Sequence, residues 1–397
     1  METRFGTGIE KGENGFEIGK KAAEIALSKI GGKADLCIVF SSSRYNYDEV
    51  VKGIREATKH APLIGCSTAG EFTEEKVESG SVAVGAISSD SCKFFFGMGE
   101  GLKEDPLGCV ESIEEQIKIS KEDEERFPNK SLLVLGDGLA GRGEELTSSA
   151  VMTFNMKLMG GTAGDDLKMK ETYVFMNDEV KNDAVSVCEI LSKAPIAFGV
   201  NHGHVPISPL LEITKASENV VYEIDNKPAW EVWRQYCRDY TKEDLGIGID
   251  DIKTQEEKSR LLTAYEMGIQ AGEGYVIRWP GPSTKEDNSL TFATIIPEKT
   301  GVVVMRGSKE SQINSAREAA EIAISKIGKE NIAGALIFDC IVRSVILGDD
   351  FSKAIDEIKN VLGVPLLGFE TYGEIGMDVG DITGFHNTTT VVVLIPK

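Results

Sequence analysis

Residues 62–71 read PLIGCSTAGE and residues 365–374 read PLLGFETYGE. The two decapeptides share Pro, Leu, Gly, Thr, Gly and Glu in register. Upstream of each stands a second matched pair, AAEIALSKIG at 22–31 and AAEIAISKIG at 319–328. A shorter copy of the turn is Thr162-Ala163-Gly164-Asp165, and Phe5-Gly6-Thr7-Gly8 is echoed by Phe96-Gly97-Met98-Gly99. Patterns that return in the same order at long spacing mark a repeated structural unit. The chain is therefore read as three copies of one unit.

The unit's periodicity follows from its apolar positions. Ile18, Ala22, Ile25, Ala26 and Ile30 keep helical spacing, and Leu36 to Phe40 form a short apolar run, the mark of a buried strand. Tyr47, Val50, Ile54 and Ala57 predict a second helix, Leu63-Ile64 a strand running into the Gly-rich turn, and Val82 to Ile87 a closing strand. The same signals recur around Val110, Leu132 to Leu135 and Leu146, and again around 314–327, 335–339, Phe351 and Val391 to Ile395. Strands alternating with helices predict an α/β class with mixed sheets flanked by helices. Strands joined through helices should be parallel, and strands joined directly should be antiparallel.

Residues 206–299 do not follow the repeat. They hold a helix near Trp230 and Trp233, an acidic stretch at 243–258, and strands near 274–279 and 290–296. Two similar domains are expected, 1–205 with two units and 206–397 with the third. The stripe of Trp230, Trp233 and Tyr236 reads as core packing or a partner-facing face.

A net charge of −21 over 397 residues repels phosphate backbones and anionic lipid heads, so nucleic acid and membrane are not expected partners. No apolar run reaches the roughly 18 residues of a spanning helix, and the N-terminus lacks the order of a signal peptide. The seven cysteines include no C-x-x-C pair. Reduced thiols and a cytoplasmic location are expected.

Five segments in order resemble the FIST family, a sensory module of bacterial and archaeal signalling. They are Gly65 to Glu71, Gly160 to Asp166, Val221 to Ala229, Cys340-Ile341-Val342-Arg343 and Gly368 to Glu374. The resemblance covers nearly the whole chain. It implies sensing of a small ligand such as an amino acid, without established catalysis. Relatives often carry kinase, chemotaxis-receptor or cyclic-dinucleotide modules. None is expected here, so output should pass to a separate signalling protein of the kinase or chemotaxis type.

Each turn follows a buried strand, and ligands in α/β sheets bind at the carboxyl ends of parallel strands. Cys66, Ser67, Thr68 and Glu71, Thr162 and Asp165, and Thr371, Tyr372 and Glu374 are therefore candidate ligand-binding residues. Glu71 or Glu374 would accept a ligand ammonium; the alternative is a cap on local structure. Arg343, after Cys340, would clamp a ligand carboxylate, and the alternative is a salt bridge to Asp339 or Asp349. If the two domains pack face to face, the first and third turns would line one cleft with Arg343 as its cation. Cys66 or Cys340 as the nucleophile of a thiol-dependent enzyme is a second function reading; buried thiols acting as small hydrophobes is its alternative. A ligand-free, partner-binding scaffold is a third. No cofactor is expected. His202 and His204, two apart, leave haem or metal as an alternative to a simple bend. Gly97 to Gly101 lacks the Gly-Lys-Ser/Thr ending of a phosphate loop.

Overall fold

The computed structural model describes residues 3–272, 274–284, 287–381 and 383–397. It contains the repeated unit three times. Each copy begins with an opening strand: Arg4–Glu10, Cys92–Glu100 and Ala197–Asn201. A first helix follows, Gly15–Ile30, Pro106–Glu114 and Lys309–Ile327. The central strands are Leu36–Ser42, Asn129–Gly136 and Ile332–Cys340. After a second helix come the crossover strands Leu63–Thr68, Lys157–Thr162 and Leu366–Thr371. A short hairpin and a closing strand end each copy; the closing strands are Val82–Ser88, Ala184–Ser192 and Thr390–Pro396.

The helix starts are written locally. Asn14 and Asn46 accept hydrogen bonds from the N–H groups of Glu17 and Glu49, and Ser308 from Ser311. Such caps satisfy donors that a helix end leaves without partners.

Each copy builds a sheet in the order opening, closing, central, crossover. Central and crossover strands run parallel and the other pairs antiparallel, as their connections predict. The hairpins do not stay at home. That of the first copy, Glu71–Glu78, pairs with the crossover strand of the third copy. That of the second, Val174–Lys181, pairs with the first copy, and that of the third, Gly373–His386, with the second. The exchange is cyclic and closed.

Burial explains why the central strands read as unbroken apolar runs. Alternate residues serve opposite faces of the sheet. Leu36, Ile38 and Phe40, with Leu133, Leu135, Leu336 and Phe338, meet in one core shared by the three sheets. Their neighbours Cys37 and Val39, Leu132 and Val134, and Ala335 and Ile337 face the helices of their own copies. In the shared core the Phe40 and Phe369 rings stand 4.3 Å apart.

The division expected at residue 206 falls inside the third copy, because Ala197–Asn201 pairs with Thr390–Pro396. Residues 204–307 are an insertion after that opening strand. They form a nine-stranded sheet with its own core, in which Trp230 and Trp233 are packed. The acidic stretch at 243–258 runs from the end of a short helix, Thr241–Leu245, through a 3-10 turn, Ile249–Asp251, to the start of another helix, Gln255–Ala264, whose first turn is closed by a Thr254–Glu257 capping box. No helix among the described residues is long and apolar enough to cross a membrane.

Candidate functional site

The three Thr-x-Gly-acid turns are the points where the chain leaves one sheet for the next, so they converge. Gly164 donates its N–H to Ser67 O at 2.9 Å, Ala69 to Glu370 O at 3.2 Å, and Tyr372 to Thr162 O at 3.1 Å. The approach is close enough to need glycine. A Cβ at Gly164 would lie 2.9 Å from the Ala69 nitrogen, and one at Gly138 only 1.9 Å from Ala163 O.

In the first and third turns the carboxyl is sealed. Glu71 meets Thr68 Oγ1 and accepts from the Ser81 N–H at 3.0 Å and the Ser81 hydroxyl at 2.6 Å. Glu374 meets Thr371 Oγ1 and accepts from the Thr389 N–H at 3.1 Å. Ser81 and Thr389 each immediately precede a closing strand, so both glutamates do the same job. Burial pushes the Glu71 carboxyl up to about 8 and raises that of Glu374 well above the usual range. Cys66 and Ser67 lie beneath, fully buried. The Ser67 hydroxyl accepts from the Tyr173 N–H at 2.9 Å, and Thr162 Oγ1 donates to Gly373 O at 3.3 Å.

The second turn differs. The N–H before its closing strand, that of Asp183, goes to Asp137 at 2.7 Å. Asp165 is thereby released to accept from the N–H groups of Met169, Lys170 and Glu171 at 3.0, 2.6 and 3.2 Å, and it meets the Tyr372 hydroxyl. The Tyr372 oxygen also accepts from the Leu167 N–H at 2.9 Å. These bonds hold a loop in which Asp166, Leu167 and Met169 take the left-handed backbone conformation, with φ of 54°, 59° and 51°. For residues with a Cβ that conformation costs about 1 kcal/mol or more each. The loop sets Leu167 and Met169 in solvent, 52% and 61% exposed.

Behind it lies a cavity of about 310 Å³. Leu139, Leu167, Met169, Val342 and Val345 line it with Trp279 and Tyr372, and Cys340 and Asn387 border it. Val342 and Val345 stand on the helix Ile341–Leu347, which starts directly after a central strand. The cavity therefore occupies the carboxyl end of parallel strands, where the fold class places its ligands. Of the expected site residues, Cys340 and Tyr372 reach it, and Asp165 shapes its mouth.

Arg343 does not reach it, which corrects its expected part as a carboxylate clamp. Its Nε donates to Asp339 at 2.8 Å, Nη1 to Ser315 Oγ at 3.0 Å and to Gln312 Oε1, and Nη2 to Gln312 O at 2.9 Å. Both members of the pair are fully buried. With the helix beginning at Ile341, Arg343 follows Asp339 by four residues and is turned back into the core. The salt bridge to Asp339, not Asp349, is the reading that holds. Glu71, Glu374 and Arg343 consequently line no common cleft.

Burial and a neighbouring carboxyl, Glu71 for Cys66 and Glu374 for Cys340, push both thiols well above the ordinary range. His204 is buried, its ring against Gln312, and burial lowers its basicity strongly; that of His202 falls to about 4. No group of three or more His, Cys, Asp or Glu residues fit to hold a metal occurs among the described residues.

Residues 35–227 match the FIST N domain and residues 229–377 the FIST C domain. The chain belongs to the FIST family. FIST domains are sensory modules of signal transduction. Over 407 aligned residues the chain is 23% identical to an uncharacterized Methanocaldococcus jannaschii protein, MJ1623, spanning 94% of this chain and 75% of that one. Two solved structures align over 99% of this chain at 11% identity. They are PurLQS from Thermotoga maritima, over 73% of its chain with a TM-score of 0.22, and T. maritima PurL complexed with FGAR, over 72% with 0.23; both scores are too low to bear on the fold.

The cavity lies where the two FIST domains meet. FIST N supplies Leu139, Leu167 and Met169; FIST C supplies Trp279, Val342 and Tyr372. The inserted sheet, which spans the boundary between the two matches, is tied to FIST N through the buried Arg278, which bonds Glu144, and to the third copy through its bond to Phe385 O at 3.1 Å. Trp279 and the Leu167–Met169 loop had not been picked out from sequence. The available signal was the pair of apolar residues Leu167 and Met169 set among charges directly after the Gly-x-x-Gly-Asp-Asp segment.

Proposed function

We propose that this FIST protein is the receptor part of a signalling system, and that its small ligand binds in the cavity between the second copy, the third copy and the inserted sheet. The observation that carries this is the cavity itself, with its exposed apolar mouth. Its volume of about 310 Å³ falls at the lower end of the range for ligand pockets, and it is lined mostly by apolar side chains. An exposed Leu167, Met169 and Val345 around one opening are costly to leave in water without a partner. Ligand contact with Trp279 on one side and Val342 on the other would draw the inserted sheet toward the repeats. That closure is the output passed to a separate signalling protein.

The geometry favours this site over an amino-acid clamp. Arg343 spends its donors on Asp339, Gln312 and Ser315, and the two glutamates on local donors. A thiol enzyme is disfavoured as well, since Cys66 and Cys340 are held protonated. A thermal-shift screen tests the reading. Small apolar ring compounds should raise the unfolding midpoint, by an amount corresponding to about 2.7 kcal/mol at a hundredfold excess over Kd. Amino acids should not. Val345→Trp, at the mouth, should remove the response while leaving the unliganded midpoint nearly unchanged. A flat response to every apolar compound rejects the cavity as the receptor site.

A further inference from the structure

The repeat supplies a second hollow beside the cavity, and it narrows the ligand class on the reading that the cavity is the receptor site. In the third copy Cys340 pairs with Thr371, and Tyr372 follows. In the first copy Ser42 pairs with Thr68, and Ala69 follows. Cys340 and Tyr372 border the cavity; Ser42 and Ala69, at the same two positions of the repeat, line an open hollow of about 500 Å³. Both spaces lie at the carboxyl ends of a parallel strand pair, where ligands bind in this fold class. The loop of the second copy stands between them, and Leu167 lines both. Their charge differs. No Asp, Glu, Lys, Arg or His is among the lining residues of the cavity. The hollow is lined by Lys11, Arg44 and Lys168, all exposed, and by one carboxylate, Asp166.

Asp166 is already satisfied. Its Oδ2 accepts from Ser42 Oγ at 2.9 Å, from the Ser43 N–H at 2.8 Å and from the Ser43 hydroxyl, to which Lys168 Nζ donates at 2.8 Å. Lys11 stands 3.6 Å from Glu78. The Arg44 guanidinium is centred 5.9 Å from the middle of the Tyr45 ring and pairs with no carboxylate among the described residues. A Cβ at Gly80 would lie 3.8 Å from both Lys11 Cε and Arg44 Cδ, so the two cationic side chains lean over one residue. Three cations against two carboxylates leave one positive charge, in a chain whose net charge is −21. We infer that the ligand is an amphiphile: an apolar body in the cavity, joined to a single carboxylate that crosses Leu167 onto Arg44 and Lys11. The guanidinium fork receives a carboxylate with two parallel hydrogen bonds. The head stays at the surface and keeps much of its hydration, while only the apolar body enters the space that holds no countercharge. A ligand ammonium would find both carboxylates of the hollow already bonded.

Three probes with one naphthyl body test this by calorimetric titration of the full chain at low ionic strength and about pH 7, where a carboxyl is ionised. They are naphthylbutanoate, its neutral amide and naphthylbutylamine. A cavity of about 150 Å³ takes benzene, and this one, at about 310 Å³, has room for the two rings. The butanoate should bind at least about threefold more tightly than the amide, the value of one or two exposed charge pairs. The amine should bind more weakly than either. The sign is diagnostic, because the field of the whole protein repels anions. Salt at about 1 M, where the Debye length is about 3 Å, should erase the difference. Arg44→Gln should bring butanoate and amide to one affinity, and Lys11→Gln repeats the test from the other wall. The salt comparison stands even if a variant does not fold. A butanoate no tighter than the amide, an amine that binds best, or a preference untouched by salt or by both variants overturns the inference. Amide binding that Val345→Trp removes would then still keep the cavity as a receptor site. If no probe binds at all, the receptor reading fails and this inference with it.

Discussion

The first and third turns set against the second show one motif put to two uses. In the outer two, a glutamate reaches the donor ahead of the closing strand and is closed off from water. In the middle one the acid is an aspartate, one methylene shorter, and Asp137 takes over the strand donor from the end of the central strand. Asp165 is then spent on an external loop and on Tyr372 from another copy. Repetition permits this: with the first and third copies holding the framework, the second can be released for a binding surface. In a repeated fold the copy that departs from the consensus is the place to look for function.

That contrast can be broken first at the framework. Arg343→Ala should destabilise by about 3–5 kcal/mol, because it strands Asp339 as an uncompensated buried charge. Denaturant titration checks it; a change below about 1 kcal/mol would make Arg343 dispensable and reopen its part in binding.

The sealed carboxyl gives the next effect. Glu71 ionises near 8 in the fold, against about 4.3 in an unfolded chain. The folded state therefore holds the extra proton between those values. Its contribution is complete below about pH 4.3 and is lost as pH rises through 8. Melting midpoints recorded from pH 5 to pH 8 should fall with rising pH on this account, and Glu71→Gln should flatten the decline. An identical slope in the variant would show that the carboxyl is not sealed.

The smallest expected effect on stability is at the second turn. Asp165→Ala should lower stability by only about 1–2 kcal/mol, since the N–H groups it leaves lie beside solvent. It should nevertheless free the 166–171 loop, seen as faster amide exchange there, and abolish the response to apolar ligands. If Asp165→Ala destabilises as much as Glu374→Ala and leaves the loop protected, the two kinds of turn are not different.

Much of this was legible in the sequence. The central strands, the helices and the repeated turns follow from local periodicity, because each sheet is buried on both faces. The exchange of hairpins was not, since an edge strand offers the same row of backbone donors whichever sheet it joins. The partner of Arg343 depended on a helix beginning immediately after Cys340, a boundary that apolar patterning on both sides conceals. The Glu-to-Asp change at 165 was in plain sight, and its meaning required Asp137, which the turn motif does not include. Trp279 stands in the insertion, where no second copy exists to compare it with.

The closed circle of hairpins also constrains how the chain is made. The hairpin Glu71–Glu78 leaves the ribosome long before the edge that receives it, Leu366–Thr371. Until that edge is made the hairpin has no sheet to join, and the first copy borrows its own outer strands from the second. Folding of the first copy is thus left unfinished until the strands of the third copy emerge. A FIST N domain cut loose at residue 228 would carry an unmatched hairpin and a deserted edge at Lys157–Thr162, and the two halves of such a protein are better inherited together than recombined.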